Sequence, residues 1–378
     1  MGLSFRKLSP QVFFLIALFV IAAIGGCSQT APGQDESAPS PYKFAGIFQL
    51  TGPQAYYGTL ARYGMELAIE DINKAGGING RQVIALYEDS AGDRAKAVTA
   101  ANKLVSVDNV DAIFTITPGM AGAVSPIAEE NKIPYIYIGS VNEFALNKTS
   151  VFKDYPSPQD LCELLMEKAL SLGHQRIALF GPNDEVTNFC WDGARSVGNI
   201  SVFETYPPGD KDYSSQFAKI KTSRPTALIL YSLAGDCPNS FKVIKELDLN
   251  AQLFLPVQSF TCGNADNSVN NADILANAFG SDIALDETRT DPRFASFKKR
   301  LEDRGWLLNI RGSALEYDIV NEMAMAYSGC ETRDCAISNL RKLKMGGLTG
   351  NLSYDGGQIV TRDVMLTKFS GGKWIKTE

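Results

Sequence analysis

The sequence has very few of the residues on which catalytic and metal-binding sites usually depend. Its 378 residues include one histidine, His174, so a catalytic triad or a metal centre with several histidines would have only that imidazole to use. No Cys-x-x-Cys pair, phosphate-binding loop or dinucleotide-binding glycine fingerprint occurs. His174 precedes a predicted strand and is expected at the end of a sheet opposite any cleft. We therefore predict a protein that is not an enzyme and that holds no metal and no cofactor.

Basic charge is also scarce. Lys and Arg number 36 against 42 Asp and Glu, and the formal net charge of −6 argues against nucleic acid as a partner. With 45% hydrophobic and 21% charged residues, the composition is that of a folded soluble protein, which excludes disordered, collagen-like and coiled-coil chains. At ~100–200 residues per domain, the length predicts two or three folded units.

Near the N-terminus, the apolar run is too short to cross a membrane. Residues 12–24 fall short of the ~20 apolar residues that a spanning helix needs. The run follows Arg6 and Lys7 and precedes two glycines and Cys27, which is the arrangement of a secretory signal peptide. We predict that residues 1–26 are this signal, and a truncated transmembrane anchor is the alternative.

The end of this signal resembles a bacterial lipoprotein lipobox. In Ile24-Gly25-Gly26-Cys27, the resemblance implies that Cys27 becomes the lipidated first residue of the mature protein. Residues 27–41 consist mainly of Ser, Gln, Pro and acidic residues and are expected to form a flexible tether. The protein is thus predicted to be exported and held by lipid alone, in the periplasm or on the outer face of the membrane.

Six cysteines remain after Cys27, an even number in a chain that is expected to leave the cytosol, where disulfides persist. Cys330 and Cys335 enclose four residues and form the easiest local pair. The other four cannot be paired from sequence alone. Metal binding is the competing interpretation, but there is no second histidine and no Cys-x-x-Cys to support it.

From Tyr42 onward, short apolar runs alternate with amphipathic stretches, which is typical of strands and helices in a parallel α/β sheet. The first series predicts strands at 42–50, 82–87, 110–116 and 133–138, with helices at 60–75, 95–106 and 121–131. After a predicted break over 152–160, a second series predicts strands at 176–180, 201–205, 227–231 and 253–256. Its helices are predicted at 161–172, 189–197, 214–222 and 240–247.

The chain after residue 283 carries three more helical patterns, at 294–304, 314–327 and 335–343, and a turn-rich end that predicts antiparallel strands. Together these patterns predict an α/β fold of two doubly wound parallel-sheet lobes. The carboxyl ends of the strands of both lobes would then border a shared crevice, a natural place to enclose a small ligand.

Several ordered motifs resemble the type 1 periplasmic solute-binding proteins of the branched-chain amino-acid receptor family. The resemblance is strongest over the first 140 residues and extends more loosely to the C-terminus. Its motifs are Leu50-Thr51-Gly52-Pro53, Tyr57-Gly58, Ala68-Ile69-Glu70-Asp71-Ile72-Asn73, Gly76-Gly77-Ile78-Asn79-Gly80-Arg81, Pro126-Ile127-Ala128-Glu129-Glu130-Asn131 and Ile133-Pro134.

The resemblance implies a two-lobed receptor that closes on a small polar solute and delivers it to an ABC importer, without chemistry on the ligand. The chain would cross between lobes three times, near Lys153, Ile283 and Gly347. Lobe 1 would comprise residues 42–152 plus 284–346, and lobe 2 residues 153–283 plus 347–378. The protein is expected to act as a monomer, with the ligand and a membrane permease as its partners.

The family binds amino acids with hydroxyl and backbone groups of the first lobe and with an acidic residue of the second lobe. In this chain the resemblance puts the first-lobe contacts at Tyr57, Thr117-Pro118-Gly119 and Gly139-Ser140-Val141. Backbone donors near helix starts, at Gly119 and Ser140, are expected to hold a carboxylate.

At four positions this chain departs from the family pattern, and these positions bear on which ligand it binds. Pro118 stands where the family has a ligand-contacting serine, Val186 and Leu233 stand where it has aromatic residues, and Gln258 aligns with the acid that pairs with the ammonium. Loss of that acid typically weakens binding of an ammonium by ~30- to 3,000-fold. Either another acid substitutes, with Asp184, Glu185 and Asp236 as candidates, or the ligand is an amide, a urea-like molecule or a carboxylate without an amine.

The family context also implies the remaining disulfides, Cys237–Cys262 beside the cleft and Cys162–Cys190 between adjacent helices. Two alternative functions are compatible with the same fold. The protein would either present its ligand to a membrane receptor in signalling or act as an envelope scaffold with a vestigial cleft.

Overall fold

The first series of apolar runs forms a five-stranded sheet in which every neighbouring pair is parallel. The computed structural model describes residues 39–232, 235–257, 262–263 and 270–377. The strands stand in the order β2-β1-β3-β4-β5. In chain order they are β1 (Tyr42–Phe48), β2 (Val83–Asp89), β3 (Ala112–Ile116), β4 (Tyr135–Ile138) and β5 (Val151–Lys153).

Strand β5 corrects one expectation, because it begins at the edge of the predicted break over 152–160. Three residues are too few to display a strand pattern. The two prolines of this break, Pro156 and Pro158, both come after β5, and Pro158 is the first residue of the next helix.

Ten helices are formed by the described residues. Helix α1 ends where the sequence predicts, at Gly76 and Gly77, which take φ of +104° and +78°. The helices are α1 (Ala55–Lys74), α2 (Arg94–Ser106), α3 (Pro118–Glu130), α4 (Pro158–Ser171), α5 (Glu185–Val197), α6 (Ser214–Thr222), α7 (Cys237–Glu246), α8 (Pro292–Asp303), α9 (Ile310–Tyr327) and α10 (Arg333–Leu340).

The late helices pack on the first sheet's helices. A Cβ on Gly64 of α1 would lie 2.1 Å from the carbonyl oxygen of Ser313 in α9, so only glycine permits this approach. Arg300 of α8 binds both carboxylate oxygens of Asp71 at 2.6 and 2.7 Å, and the Tyr317 hydroxyl donates to the same carboxylate at 2.8 Å. These contacts join chain segments more than 200 residues apart.

The second series forms a seven-stranded sheet with the order β15-β14-β10-β9-β8-β6-β7. The four predicted strands of the second series and the additional strand β10 are parallel, and β14 and β15 add antiparallel strands at one edge. The strands are β6 (Ile177–Pro182), β7 (Val202–Tyr206), β8 (Ala227–Leu230), β9 (Gln252–Pro256), β10 (Phe279–Ile283), β14 (Val364–Ser370) and β15 (Lys373–Lys376).

A small antiparallel sheet precedes β14 and is built from β11 (Lys344–Gly347), β12 (Gly350–Ser353) and β13 (Thr361–Arg362). The expectation of antiparallel strands in the turn-rich end is therefore confirmed. Leu348 and Leu352 join the same hydrophobic core as Phe114 of the first sheet. The division into lobes at 42–152 plus 284–346 and 153–283 plus 347–378 remains a prediction.

Buried charges connect the segments that run between the two large sheets. Arg362 of β13 is fully buried and binds Asp154, just after β5, with two nitrogens, and Glu322 of α9 at 2.9 Å. Although burial alone would lower the pKa of Arg362, the carboxylates of Asp154 and Glu322 raise it. Lys153 lies beside this cluster, and burial lowers its pKa to about 8.

Three disulfides join the six cysteines, and they are the three pairs expected: Cys162–Cys190, Cys237–Cys262 and Cys330–Cys335. The first links α4 to α5. The second links the start of α7 to the segment after β9. The third closes the turn between α9 and α10.

Candidate ligand-binding cleft

Polar groups of the first lobe meet at the carboxyl ends of β1 and β3. Gln49, directly after β1, is fully buried. Its amide nitrogen donates to the carbonyl of Ile116 at 3.1 Å and to the hydroxyl of Thr117 at 2.8 Å. Because both amide hydrogens are used, the orientation of the Gln49 side chain is fixed, and its Oε1 has no hydrogen-bond partner among the described residues.

Thr117 has a backbone conformation that a β-branched residue rarely adopts, with φ +81° and ψ 143°. Such strain is concentrated at functional sites, where surrounding contacts hold it in place. Thr117 stands at the N-cap of α3, yet its side chain does not cap the helix, since its hydroxyl accepts from Gln49 instead. The first-turn N–H groups of α3, at Gly119 and Met120, therefore have no side-chain cap.

The loop after β4 lies beside this helix start. A Cβ on Gly139 would lie 3.6 Å from Cγ of Pro118. The carbonyl of Val141 accepts a hydrogen bond from the Tyr137 hydroxyl at 2.6 Å, and Val141 is buried while Ser140 is half-buried. The structure thus brings the predicted residues of the β3 and β4 loops side by side.

Tyr57 approaches the same region from the first turn of α1. A Cβ on the adjacent Gly58 would lie 2.1 Å from the carbonyl oxygen of Gln49, so α1 begins directly against the end of β1. Burial, together with the nearby Tyr56 and the carboxylate of Asp236, raises the pKa of Tyr57 to about 12. Asp236 directly precedes α7, so a charge beside the second sheet lies within electrostatic range of Tyr57.

The second lobe presents Tyr231, Val186 and three acids near this point. Tyr231 follows β8, and its pKa is raised by burial and by the nearby Asp184 and Tyr57. Val186, in the first turn of α5, and Tyr57 both pack against the hydrophobic cluster that contains Tyr231. Leu233, Gln258 and the predicted lipidation site Cys27 lie outside the described residues.

The three candidate acids have different surroundings. Asp184 caps α5 by accepting from the Thr187 N–H at 2.8 Å, so one of its oxygens is already used. Burial and the charges of Glu143 and Asp184 raise the pKa of Glu185. Asp236 accepts from the Tyr206 hydroxyl at 3.1 Å and lies 3.5 Å from the Lys211 ammonium.

The disulfide Cys237–Cys262 borders this part of the second lobe. Its sulfurs lie 3.4 and 3.9 Å from the carbonyl oxygen of Ser232, and Cys237 follows Asp236 directly. The bridge therefore joins the segment that carries Asp236 to the chain after β9.

Two residues of the cleft were not singled out from sequence. Gln49 is a polar residue at the end of an otherwise apolar strand, and this break in the apolar run could have marked it as a candidate site residue. Arg94 begins α2, and its guanidinium lies 3.8 to 4.0 Å from the position of a Cβ on Gly119. The sequence gives no indication of Arg94, because Gly119, which is close to it in space, belongs to another loop.

His174 lies at the other end of the second sheet. Its Nε2 is 2.8 Å from Oε1 of Gln252, the first residue of β9, and its ring packs edge-on against Phe254. No group of acidic, histidine and cysteine side chains suited to a metal ion occurs among the described residues. Within the same residues, no helix has the length and apolar character needed to cross a membrane.

Two α/β sheets, one parallel and one mainly parallel, are the fold of a type 1 periplasmic solute-binding protein. The family model described as periplasmic binding protein matches residues 41–373, and the chain belongs to that family. Its members bind solutes and are not enzymes, and the family implies a location outside the cytoplasm.

Curated relatives match part of the chain. A Leu/Ile/Val-binding protein homologue of Brucella suis is 31% identical over 156 residues, which cover 40% of this chain and 37% of that protein. The leucine-, isoleucine-, valine-, threonine- and alanine-binding protein of Pseudomonas aeruginosa is 28% identical over 218 residues, covering 55% and 56%. The chain thus spans between a third and just over half of the length of these relatives.

Solved structures share the fold over nearly the whole chain. The isoleucine complex of the branched-chain amino-acid transporter substrate-binding protein LivJ from Streptococcus pneumoniae has a TM-score of 0.79 at 19% identity, covering 89% of this chain and all of that one. A solute-binding protein of an ABC transporter from R. palustris, in complex with 4-hydroxybenzoate, has a TM-score of 0.77 at 16% identity, covering 89% and 96%.

Proposed function

We propose that the protein is a solute-binding lipoprotein that captures a small polar ligand between its two lobes and delivers it to an ABC importer. Support comes from the family and from relatives named for Leu, Ile and Val binding or solved as ABC transporter components. The lobes, 42–152 plus 284–346 and 153–283 plus 347–378, would close by hinge rotation. The proposed contacts are Tyr57, Thr117, Pro118, Gly119, Gly139, Ser140, Val141, Val186, Leu233 and Gln258.

We favour an amino acid as the ligand, because the half-buried Asp236 lies within electrostatic range of Tyr57. On the first lobe, the uncapped start of α3 favours a carboxylate. On the second lobe, the carboxylate of Asp236 contacts the Tyr206 hydroxyl and the exposed ammonium of Lys211, and a ligand ammonium would take the place of Lys211. Asp236 would then supply the negative charge that Gln258 lacks, so the two lobes together would match a zwitterion. An amide or an amine-free acid, the alternative that Gln258 suggests, needs no such acid.

A thermal-shift and calorimetry panel tests this assignment on the full chain, purified in mild detergent with its disulfides intact. Ligands that bind only the folded protein raise its melting temperature in proportion to ln(1 + [L]/Kd). We expect L-leucine, L-isoleucine or L-valine to bind and Asp236→Asn to weaken that binding by roughly 30-fold or more. Binding of an amine-free acid, such as 4-hydroxybenzoate, is expected to be unaffected by Asp236→Asn.

Glu246→Gln is the matched control, since it removes an exposed acid at the far end of α7. A panel in which only amides or amine-free acids bind would contradict the amino-acid assignment. If no small molecule binds and a protein partner co-purifies instead, the envelope-scaffold function replaces the transport function.

A further inference from the structure

The position of Arg94 is unfavourable for the stability of helix α2. It is the first residue of α2, where the helix dipole disfavours a positive charge, and the first turn also contains Lys96 but no acid. The capping carboxylate of Asp93 accepts from the Lys96 N–H at 2.9 Å. Arg94 forms no ion pair with any described residue. A residue that local energetics disfavour is expected to serve another purpose.

The guanidinium of Arg94 extends from α2 to the start of α3. Its Nε and Nη2 lie 3.8 and 4.0 Å from the position of a Cβ on Gly119, which leaves this space open because glycine has no side chain. The uncapped N–H groups of Gly119 and Met120 face outward from the same helix start. Two sources of positive potential therefore meet there, the guanidinium of Arg94 and the N-terminus of α3, whereas the carboxylate of Asp93 offsets the N-terminus of α2.

The neighbouring groups are arranged to receive an anion at this point. Thr117 accepts a hydrogen bond from Gln49, so its own hydroxyl hydrogen is left to donate, and no described residue accepts it. Gln49 is fully buried, and its Cγ lies 3.8 Å from the position of a Cβ on Gly92, in the loop before Arg94.

We propose that Arg94 is the anion-binding residue of the cleft and pairs with the carboxylate of the ligand. It replaces the hydroxyl that is missing at Pro118, in the same loop as Thr117 and Gly119. Thr117 and the first-turn N–H groups of α3 complete the carboxylate site, and Gln49 is the positioning residue that keeps the Thr117 hydroxyl a donor. This inference rests on the proposed function, because it assumes that the ligand binds between the lobes.

The experiment compares two pairs of probes, L-isoleucine with L-isoleucinamide and 4-hydroxybenzoate with 4-hydroxybenzamide, by calorimetry on the full chain. We expect the wild type to bind at least one acid more tightly than its amide. Arg94→Gln is expected to weaken binding of that acid by roughly 10- to 100-fold, as for loss of a charge-assisted hydrogen bond, and to leave the amide unaffected. Arg94→Lys is expected to retain part of the affinity, because it keeps the charge but not the planar donor pair.

Lys96→Gln is the matched control, since it removes an exposed cation from the same turn of α2. A purely structural role is tested by the melting temperature without ligand, which is expected to stay constant or rise in Arg94→Gln, because a cation leaves a helix N-terminus.

Each remaining outcome rejects a defined claim. If the wild type binds an acid and Arg94→Gln binds it equally well, Arg94 has no part in binding, while the proposed function stands. Tighter binding of an amide than of its acid rejects the carboxylate site. If no probe binds here and no ligand is found in the wider panel, the proposed function itself fails, and the Arg94 assignment fails with it.

Discussion

Single residues of this protein carry charges in places where burial or a helix dipole opposes them. Arg94 carries its positive charge at the N-terminus of α2, and Lys153 is buried near a predicted crossover between lobes. The ammonium of Lys153 donates to the carbonyl of Tyr155 at 2.7 Å. Burial lowers the pKa of Lys153 from 10.5 to about 8, although the charges of Asp154 and Asp160 act in the opposite direction.

Lys153 is predicted to make stability rise with pH in the alkaline range. Between pH 8 and 10.5 the unfolded chain binds the lysine proton and the folded protein does not, so the free energy of unfolding increases with pH there. Below pH 8 the full cost of the buried charge is present. The difference in unfolding free energy, wild type minus Lys153→Met, should therefore increase by up to about 3 kcal/mol across this window.

Urea unfolding at several pH values measures this difference. Lys342→Met, which removes an exposed lysine, supplies the baseline for effects of pH on the unfolded chain and on tyrosines. A difference that stays constant from pH 8 to 10.5 would mean that Lys153 keeps its charge in the folded protein.

At the scale of helices and strands, most of the fold was predictable from sequence. The strand patterns of both series and the helical patterns between them correspond to β1–β4, β6–β9 and α1–α10 within a few residues. Apolar periodicity is sufficient to locate these elements, because each long helix buries one apolar stripe and each central strand buries both of its faces. β5 was not predictable, since its three residues are too few to show a period and its pairing with β4 depends on tertiary contacts.

The cleft was predictable only in part, and for a physical reason. Thr117, Gly119 and Gly139 follow apparent strands, and strand ends of one parallel sheet meet at one edge, so sequence order locates them. Arg94 and Gln49 act through contacts between loops, and those contacts have no periodic signal. Leu233 and Gln258 were assigned from the family resemblance alone and remain predictions.

The disulfide Cys237–Cys262 is predicted to matter for ligand binding as well as for stability. It closes a sequence separation of 25 residues beside Asp236, so the double variant Cys237→Ser/Cys262→Ser should lose about 3 kcal/mol of unfolding free energy. It should also bind ligand more weakly, since the segment that carries Asp236 becomes free to move and must be ordered on binding.

Cys162→Ser/Cys190→Ser is the matched control for this experiment. Its separation of 28 residues predicts a similar loss of stability, but the bridge joins α4 to α5 and does not include the segment that carries Asp236. Urea unfolding and calorimetry with the ligand found in the panel measure both effects. Equal affinity of the two double variants would show that the bridge beside Asp236 has no role in binding.

At the scale of the whole molecule, the two lobes are connected by a buried ionic cluster rather than by loose linkers. Arg362 holds Asp154 and Glu322, and Asp318 accepts from the N–H groups of Leu348 and Thr349 at 2.8 Å each. Removal of one partner from such a cluster typically costs ~3–5 kcal/mol. If the lobes divide as proposed, we expect this cluster to stay intact during closure while the lobes rotate on either side of it.

Attachment of the whole molecule to a membrane is predicted to depend on Cys27. The lipobox resemblance implies cleavage after Gly26 and a lipid on the new N-terminus. Cells that express the full chain with a labelled fatty acid should yield a labelled protein whose N-terminal peptide begins at Cys27. Cys27→Ser should abolish both the label and this cleavage, while Cys162→Ser/Cys190→Ser should retain them. Residues 1–26 on the purified protein, or label that persists in Cys27→Ser, would contradict the anchor and favour an uncleaved N-terminal segment.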